Sequence, residues 1–172
     1  MGTQGAASGR HPFQCAIEAK DFDALARSLR EDVVFYAPIR FQPFQGPDQA
    51  LGAMALAAPA FAFQPGFRYT RSFRGGQSLA LFFEAQLQGK SLEGVDLLVV
   101  DDQDKVAELR VMMRPFTALC DLVSVTGAML ESARSSPSEP REASKVALFR
   151  ASQGEMFTSL SNRRSQLLEV VD

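Results

Sequence analysis

The sequence has no tryptophan and only one histidine, His11. A single histidine excludes multi-histidine metal sites, and a Ser-His-Asp or Cys-His catalytic site would have to use this one residue. The two cysteines, Cys15 and Cys120, lie far apart and form no CxxC motif, which is typical of reduced thiols in a cytoplasmic protein. We therefore predict a cytoplasmic protein with no metal and no cofactor.

The sequence also lacks an excess of either charge and lacks a long apolar run. Eighteen Lys and Arg stand against 20 Asp and Glu, and this balance argues against nucleic-acid binding. The most apolar stretch, residues 53–63, is too short to cross a bilayer and contains Pro59. The first ten residues are small and polar, without the apolar region of a secretion signal. These features predict a soluble protein without nucleic-acid or membrane partners.

The 172 residues are enough for one domain and a short extension. Apolar residues recur at helical spacing from Pro12 to Leu29, which predicts a helix over 12–30, with Asp21 and Asp23 as candidate caps of a second short segment. A β-branched and aromatic run at 32–37 predicts a strand that ends at Pro38. A proline-rich loop to residue 47 and a helix over 47–58 follow.

After Gly66 the apolar spacing changes from helical to alternating. Turns at Gly75-Gly76, at 88–90 and at 101–105 divide residues 66–114 into four strands, which predicts an antiparallel meander. A helix over 115–133 completes the domain. This order indicates an α+β fold, a cone-shaped barrel in which a curved antiparallel sheet wraps around the helices and leaves a pocket.

The two ends of the chain differ from this domain in composition. We predict a disordered N-terminus at 1–10, the domain at 11–134, a Ser- and Pro-rich linker at 135–143 and an amphipathic helical tail at 144–172. Residues 139–172 contain five basic and five acidic residues, and this balance argues against a membrane anchor. It packs on the domain, pairs with another subunit or stays partly disordered.

Two segments carry a resemblance to a known superfamily. The first runs from Phe13 to Pro38 and ends in LREDVVFYAP, and the second, Gly89 to Pro115, contains LEGVDLLVVDDQDKVAELRV. In both, the chain resembles the nuclear transport factor 2-like superfamily and its SnoaL-like, polyketide cyclase-like branch. The resemblance implies the cone-shaped fold and a homodimer formed through the sheet. The fourteen phenylalanines favour a small apolar ligand. Because this superfamily contains enzymes, ligand binders and assembly modules, the resemblance does not fix the activity.

Asp96 is the best candidate for a catalytic residue, since it is a carboxylate within an apolar strand. The resemblance implies that its face of the strand points into the cavity, where desolvation would raise its pKa and suit it to acid/base work. Tyr36 is the candidate assistant, because a phenol donates hydrogen bonds to a developing oxyanion, as in isomerases of the superfamily. Predicted substrate-binding residues are Tyr69, Arg114, Phe35, Leu98 and Val111.

Two functions of different class remain open. The first is an acid/base isomerase, cyclase or dehydratase acting on an apolar cyclic compound, which requires Asp96 in a closed apolar pocket near another polar group. The second is a non-catalytic ligand-binding or dimerisation module with the same fold. The pocket histidines of scytalone dehydratase-like enzymes and the second acid of steroid isomerase-like enzymes have no counterpart in this sequence. None of those specific activities therefore transfers.

Overall fold

The computed structural model describes residues 9–135. The predicted tail, the predicted linker after Ser135, and all but the last two residues of the predicted disordered N-terminus lie outside this range. The helices and strands are α1 (Pro12–Ala19), α2 (Phe22–Ser28), β1 (Leu29–Tyr36), β2 (Phe44–Gln45), α3 (Gly46–Ala57), a 3₁₀ turn (Ala58–Ala60), β3 (Arg68–Gly75), β4 (Ser78–Leu87), β5 (Lys90–Val100), β6 (Val106–Arg114) and α4 (Phe116–Ser135).

The predicted N-terminal helix is two short helices. His11 begins α1, where its Nδ1 accepts a hydrogen bond from the backbone N–H of Phe13 at 3.2 Å. Lys20 adopts a left-handed conformation, with φ of 59°, and so ends α1. Asp21 caps α2 by accepting a hydrogen bond from the N–H of Ala24 at 2.9 Å. Of the two candidate caps, Asp21 is therefore the one that begins the second segment.

The sheet has six strands in the order β2-β1-β6-β5-β4-β3. Strands β3 to β6 pair antiparallel with their sequence neighbours, which confirms the predicted meander. Strand β1 pairs with β6 in parallel, and the two-residue β2 pairs antiparallel with β1 inside the predicted loop. The sheet is thus mixed, curved and open, within the predicted α+β fold.

The register assigns each strand residue to one of two faces. On the inner face, cross-strand rows join Leu81, Asp96 and Val111, and two residues further along β5, Leu98 and Leu109. Leu81, Leu98 and Leu109 belong to one apolar core with buried side chains of α1, α3 and α4, and Val111 packs against this core. In the described residues, we find no helix that combines the length and apolarity needed to cross a membrane.

The opposite side of the sheet, which we call the outer face, turns away from the helices. Its rows join Phe82, Val95 and Met112, and next to them Ala80, Leu97 and Arg110. The Met112 side chain is 54% exposed there. The meander therefore has one apolar face in the core and a second that no described element covers.

Candidate active site

A cavity of about 100 Å³ lies between the inner face of the sheet and the helices. Its wall comes from α1, β1, the segment after β1, α3, the meander and α4. Phenylalanine, aliphatic and alanine side chains form nearly all of it. Among the residues that the structure describes, only Tyr69, Asp96 and Thr126 place polar side chains in the wall. The Thr126 hydroxyl already donates to the carbonyl of Leu122 at 2.8 Å, within its own helix.

Strand β5 carries Asp96 into the cavity. Because side chains alternate along a strand, Asp96 shares the inner face with the fully buried Leu98, while Val95 and Leu97 point outward. The Asp96 residue is 6% exposed, and its cross-strand neighbours on this face are Leu81 and Val111. A carboxyl group is therefore fixed in an apolar wall, where few water molecules can solvate it.

Tyr69 of β3 is the hydrogen-bond partner of this carboxyl group. The Tyr69 hydroxyl donates to Oδ2 of Asp96 at 2.6 Å. Edge-on contacts with Phe67 and Phe83 hold the phenol ring, with centroid separations of 5.1 and 6.3 Å. In the described part of the chain no other hydrogen bond engages Asp96. Its Oδ1 is therefore available to a molecule bound in the cavity.

Burial raises the pKa of Asp96 to about 7, and the hydrogen bond from Tyr69 opposes this shift. The pKa of Tyr69 is raised well above its usual value by burial and by the neighbouring Asp96 charge, so the phenol stays protonated. Near neutral pH, Asp96 consequently occurs in both protonation states. A group of this kind can both accept and return a proton during one reaction.

The structure brings four of the seven predicted site residues together and separates three. Phe35 and Val111 line the cavity with Asp96 and Tyr69. Leu98 faces the same way as Asp96 but is packed in the core beside Leu79 and Leu109, and it does not line the cavity.

The structure does not bring Tyr36, the candidate assistant, to Asp96. Strand alternation turns Phe35 inward and Tyr36 outward, and the Arg110 guanidinium lies over the Tyr36 ring at 3.8 Å from its centroid. The prediction for Arg114 also needs correction. This arginine is exposed on the outer side at the end of β6, where it pairs with Glu93. Neither residue lines the cavity.

Sequence reasoning missed the part of the wall that follows β1. Ala37, Pro38 and Ile39 line the cavity, Arg40 comes next, and Phe44 of β2 stacks on Phe35 with a centroid separation of 5.7 Å. The sequence signal was an arginine as the one charged residue of the proline-rich loop at 38–47. Among the described residues, no cluster of His, Cys, Asp or Glu could hold a metal ion.

Comparison with known proteins agrees with this architecture. The family model of the SnoaL-like domain matches residues 10–109. No curated protein matches the chain. A crystal structure of a steroid delta-isomerase from Pseudomonas aeruginosa superposes with a TM-score of 0.65 at 27% identity, covering 72% of this chain and 90% of that one.

Two further solved structures illustrate the range of similar proteins. An uncharacterised protein with a cystatin-like fold from Silicibacter pomeroyi superposes with a TM-score of 0.65 at 26% identity, covering 74% of this chain and 92% of that one. A putative SnoaL-like polyketide cyclase from Shewanella denitrificans reaches 0.52 at 15% identity, covering 66% and 92% of the two chains. This last similarity shows the fold alone.

Proposed function

The chain belongs to the SnoaL-like domain family, and from that premise we propose that it is an isomerase that moves a proton within a small, apolar cyclic carbonyl compound. The observation that carries the proposal is a buried carboxyl, Asp96, with a pKa of about 7 in an apolar cavity and a phenol bonded to one of its oxygens. The similarity to a steroid delta-isomerase supports the same reaction class.

The reaction needs one acid/base group because the proton that leaves one carbon returns to another. The Asp96 carboxylate accepts a proton from the carbon beside the substrate carbonyl, and the C–H electron pair moves into an enolate. The protonated Asp96 then gives that proton to a different carbon of the conjugated system, which shifts the double bond. Atoms and charge balance without a co-reactant. The cavity suits such a reaction, because Asp96 is the only carboxyl group in its described wall.

Tyr69 acts as a positioning residue in this proposal. Its hydrogen bond occupies Oδ2 of Asp96 and so directs Oδ1 to the substrate. The same bond favours the carboxylate form, which offsets part of the effect of burial on the pKa of Asp96. The volume of about 100 Å³ limits the enclosed part of a ligand to no more than one small ring, since an apolar cavity of about 150 Å³ is already filled by benzene.

The alternative is a binding module that holds an apolar molecule without changing it. It is supported by the nearly complete apolar lining, since a hydrophobic ligand needs no reacting group. In that case Asp96 and Tyr69 would orient the ligand by hydrogen bonding. The two functions differ in whether a bound compound is turned over.

The experiment is an isomerisation assay with cyclohex-3-en-1-one, whose conjugated product is followed by ultraviolet absorbance. We expect turnover by the wild type and a loss of about 10²–10⁴-fold in Asp96→Asn, because the amide cannot accept the proton. The control is Glu93→Gln, which removes a carboxylate from the outer side of the same strand and should retain the wild-type rate within twofold. Binding without turnover would favour the alternative, and an Asp96→Asn rate within twofold of wild type would refute the mechanism.

We also propose that two copies pair through the outer face. Phe82, Val95 and Met112 form its apolar centre. Paired charges flank this centre, with Arg68 next to Glu84 and Arg114 next to Glu93. Such a mixed pattern is self-complementary, because a two-fold axis can bring the basic groups of one copy to the acidic groups of the other.

We also propose that the protein is cytoplasmic. Support comes from its two cysteines, Cys15 and Cys120, which are both free thiols in the described structure. A proteome fractionation that finds the native protein outside the cytoplasm would contradict this placement.

A further inference from the structure

The single histidine of the chain is built into the start of helix α1. His11 is 4% exposed, and its Nδ1 accepts a hydrogen bond from the backbone N–H of Phe13. Pro12, the first helical residue, has no N–H, so this bond satisfies the first donor of the helix. A ring nitrogen that accepts a hydrogen bond carries no proton. The cap therefore requires a neutral His11 with its proton on Nε2.

The second nitrogen of the ring makes protonation of His11 still less favourable. Nε2 is buried, and among the described residues it has no partner in hydrogen-bonding geometry. An imidazolium has two N–H donors, but here Nδ1 faces the N–H of Phe13 and Nε2 lacks a partner. Protonation with α1 in place would leave a buried charge with neither donor satisfied, which is costly. The ring therefore accepts a proton more readily once the first turn of α1 moves.

Charged groups from two parts of the sheet act on this imidazole. Asp104, in the turn between β5 and β6, pairs with Arg74 near the end of β3. Burial lowers the pKa of His11, the charge and the nearby backbone carbonyl of Asp104 oppose this shift, and the Arg74 charge adds to it. The charged residues around the start of α1, Arg10 and Glu18, are paired with each other. His11 is thus neutral at neutral pH and takes up a proton only in acid.

Helix α1 connects His11 to the cavity. Phe13, whose N–H is capped, and Ile17, one turn further along, both line the cavity and are at most 7% exposed. A helix of eight residues has only about two turns, so it depends on its cap and its packing more than on its own propensity. A change in the first turn of α1 therefore moves side chains that form the cavity wall.

We propose that His11 is a pH-sensitive switch of the cavity: acid protonates its imidazole, the cap on Phe13 is lost, and the α1 side of the cavity wall loosens. A proton on Nδ1 replaces the hydrogen bond from Phe13, so the protonated ring and the capped turn exclude each other. Because the folded pKa of His11 is lowered, the open turn binds more protons than the capped one, and the capped turn loses stability as the pH falls. This switch goes beyond the proposed function, since it operates whether the cavity catalyses a reaction or only binds.

NMR of the full chain tests the switch without a ligand. Ile17 and Ile39 are the two isoleucines of the sequence, and both line the cavity, Ile17 on α1 and Ile39 on the segment after β1. The protein carries Asp96→Asn, so that ionisation of this carboxyl does not shift the methyl signals. In a titration over about pH 8 to 4, we expect the His11 imidazole to titrate below 6.5, the ordinary pKa of histidine. The Ile17 methyl should shift with the same midpoint, and the Ile39 methyl should not.

Two variants separate His11 from other titrating groups. His11→Asn keeps a cap without a titrating group, because the asparagine side chain is a strong N-cap acceptor, and the Ile17 shift should vanish. Glu18→Gln is the matched control, since it removes another titratable group from the same helix and should keep the shift.

An Ile17 methyl that does not follow the His11 titration, or a shift that persists in His11→Asn, overturns the switch. An imidazole midpoint at or above 6.5 also overturns it, since burial would then not hold the ring neutral. An Ile39 shift equal to that of Ile17 would mean a general change of the domain and would contradict a switch at α1. Because the two midpoints are compared in protein that retains His11, the result does not depend on the folding of His11→Asn.

Discussion

At position 94, glycine makes room for the aromatic wall next to Asp96. Gly94 lies on the inner face of β5, opposite Phe83 of β4, whose ring covers the place where a side chain would project. A Cβ added here would overlap that ring and would lie 2.5 Å from the backbone oxygen of Met112. The phenylalanine ring can move, but the backbone oxygen belongs to the sheet ladder and cannot yield without disturbing the pairing of β5 and β6.

We therefore predict that Gly94→Ala lowers the free energy of unfolding by about 1–3 kcal/mol, the usual cost of overpacking. The control is Gly75→Ala, since a Cβ at that strand end would meet no atom within 4 Å and the residue does not require a positive φ. Denaturant titration of both variants measures the difference. Equal stability of Gly94→Ala and the wild type would show that the site tolerates a side chain.

The two tyrosines show which residue-level predictions the sequence allows. Alternation alone establishes that Phe35 and Tyr36 point to opposite faces, but the inward direction depends on the pairing of Tyr36 with Arg110 across a long-range parallel contact. Tyr69 reaches Asp96 through a pairing with β4 that is irregular between Tyr69 and Arg71. The sequence identifies Asp96 because a carboxylate among apolar strand residues is unusual. It does not identify Tyr69 as the partner of Asp96, because that contact depends on the irregular pairing of β3 with β4.

At the scale of elements, the sequence pattern predicts those helices and strands that form through interactions between sequence neighbours. The four strands of the meander follow from alternating residues and glycine-containing turns between sequence neighbours. The pairing of β1 with β6 joins residues more than seventy positions apart, such as Phe35 with Leu109. The two residues of β2 are too few to show any alternation. Such contacts are set by tertiary packing, so they were absent from the sequence-based prediction.

The outer face of the sheet is the surface through which we expect two copies to pair. We expect a homodimer by sedimentation velocity at micromolar concentration, because Phe82, Val95 and Met112 form an apolar centre that water would otherwise cover. Met112→Glu should give a monomer, since the dimer would bury a charge. Phe41→Glu is the control, because Phe41 is 99% exposed in the segment after β1 and away from this face. A monomeric wild type, or a dimer that persists in Met112→Glu, would contradict pairing through the sheet.

At the scale of the whole molecule, the sheet and the helices enclose a carboxyl group that water would otherwise keep ionised. The free energy needed to hold it there comes from the surrounding core, in which Leu81, Leu98 and Leu109 on the same face are almost fully buried. Stability and proposed chemistry are coupled through this one group, because the pKa of Asp96 differs between the folded and the unfolded chain.

The direction of that coupling follows from the two pKa values. In the unfolded chain the Asp96 carboxyl loses its proton near the ordinary aspartate pKa of 3.8, whereas in the folded protein it keeps the proton up to a pKa of about 7. Between these values the folded state binds more protons than the unfolded state, so the contribution of Asp96 to stability falls as the pH rises. Above the folded pKa the loss is complete.

The most direct test of a buried, neutral-range acid in the cavity is the free energy of unfolding of wild type and Asp96→Asn across about pH 4 to 8, measured by denaturant titration. The asparagine cannot ionise, so the difference between the two proteins isolates the carboxyl group. We predict that the wild type loses stability relative to Asp96→Asn as the pH rises from about 4 to 7, by on the order of 4 kcal/mol, with no further change above that range. A difference that stays constant from about pH 4 to 8 would mean that Asp96 ionises as it does in water, and would contradict the account.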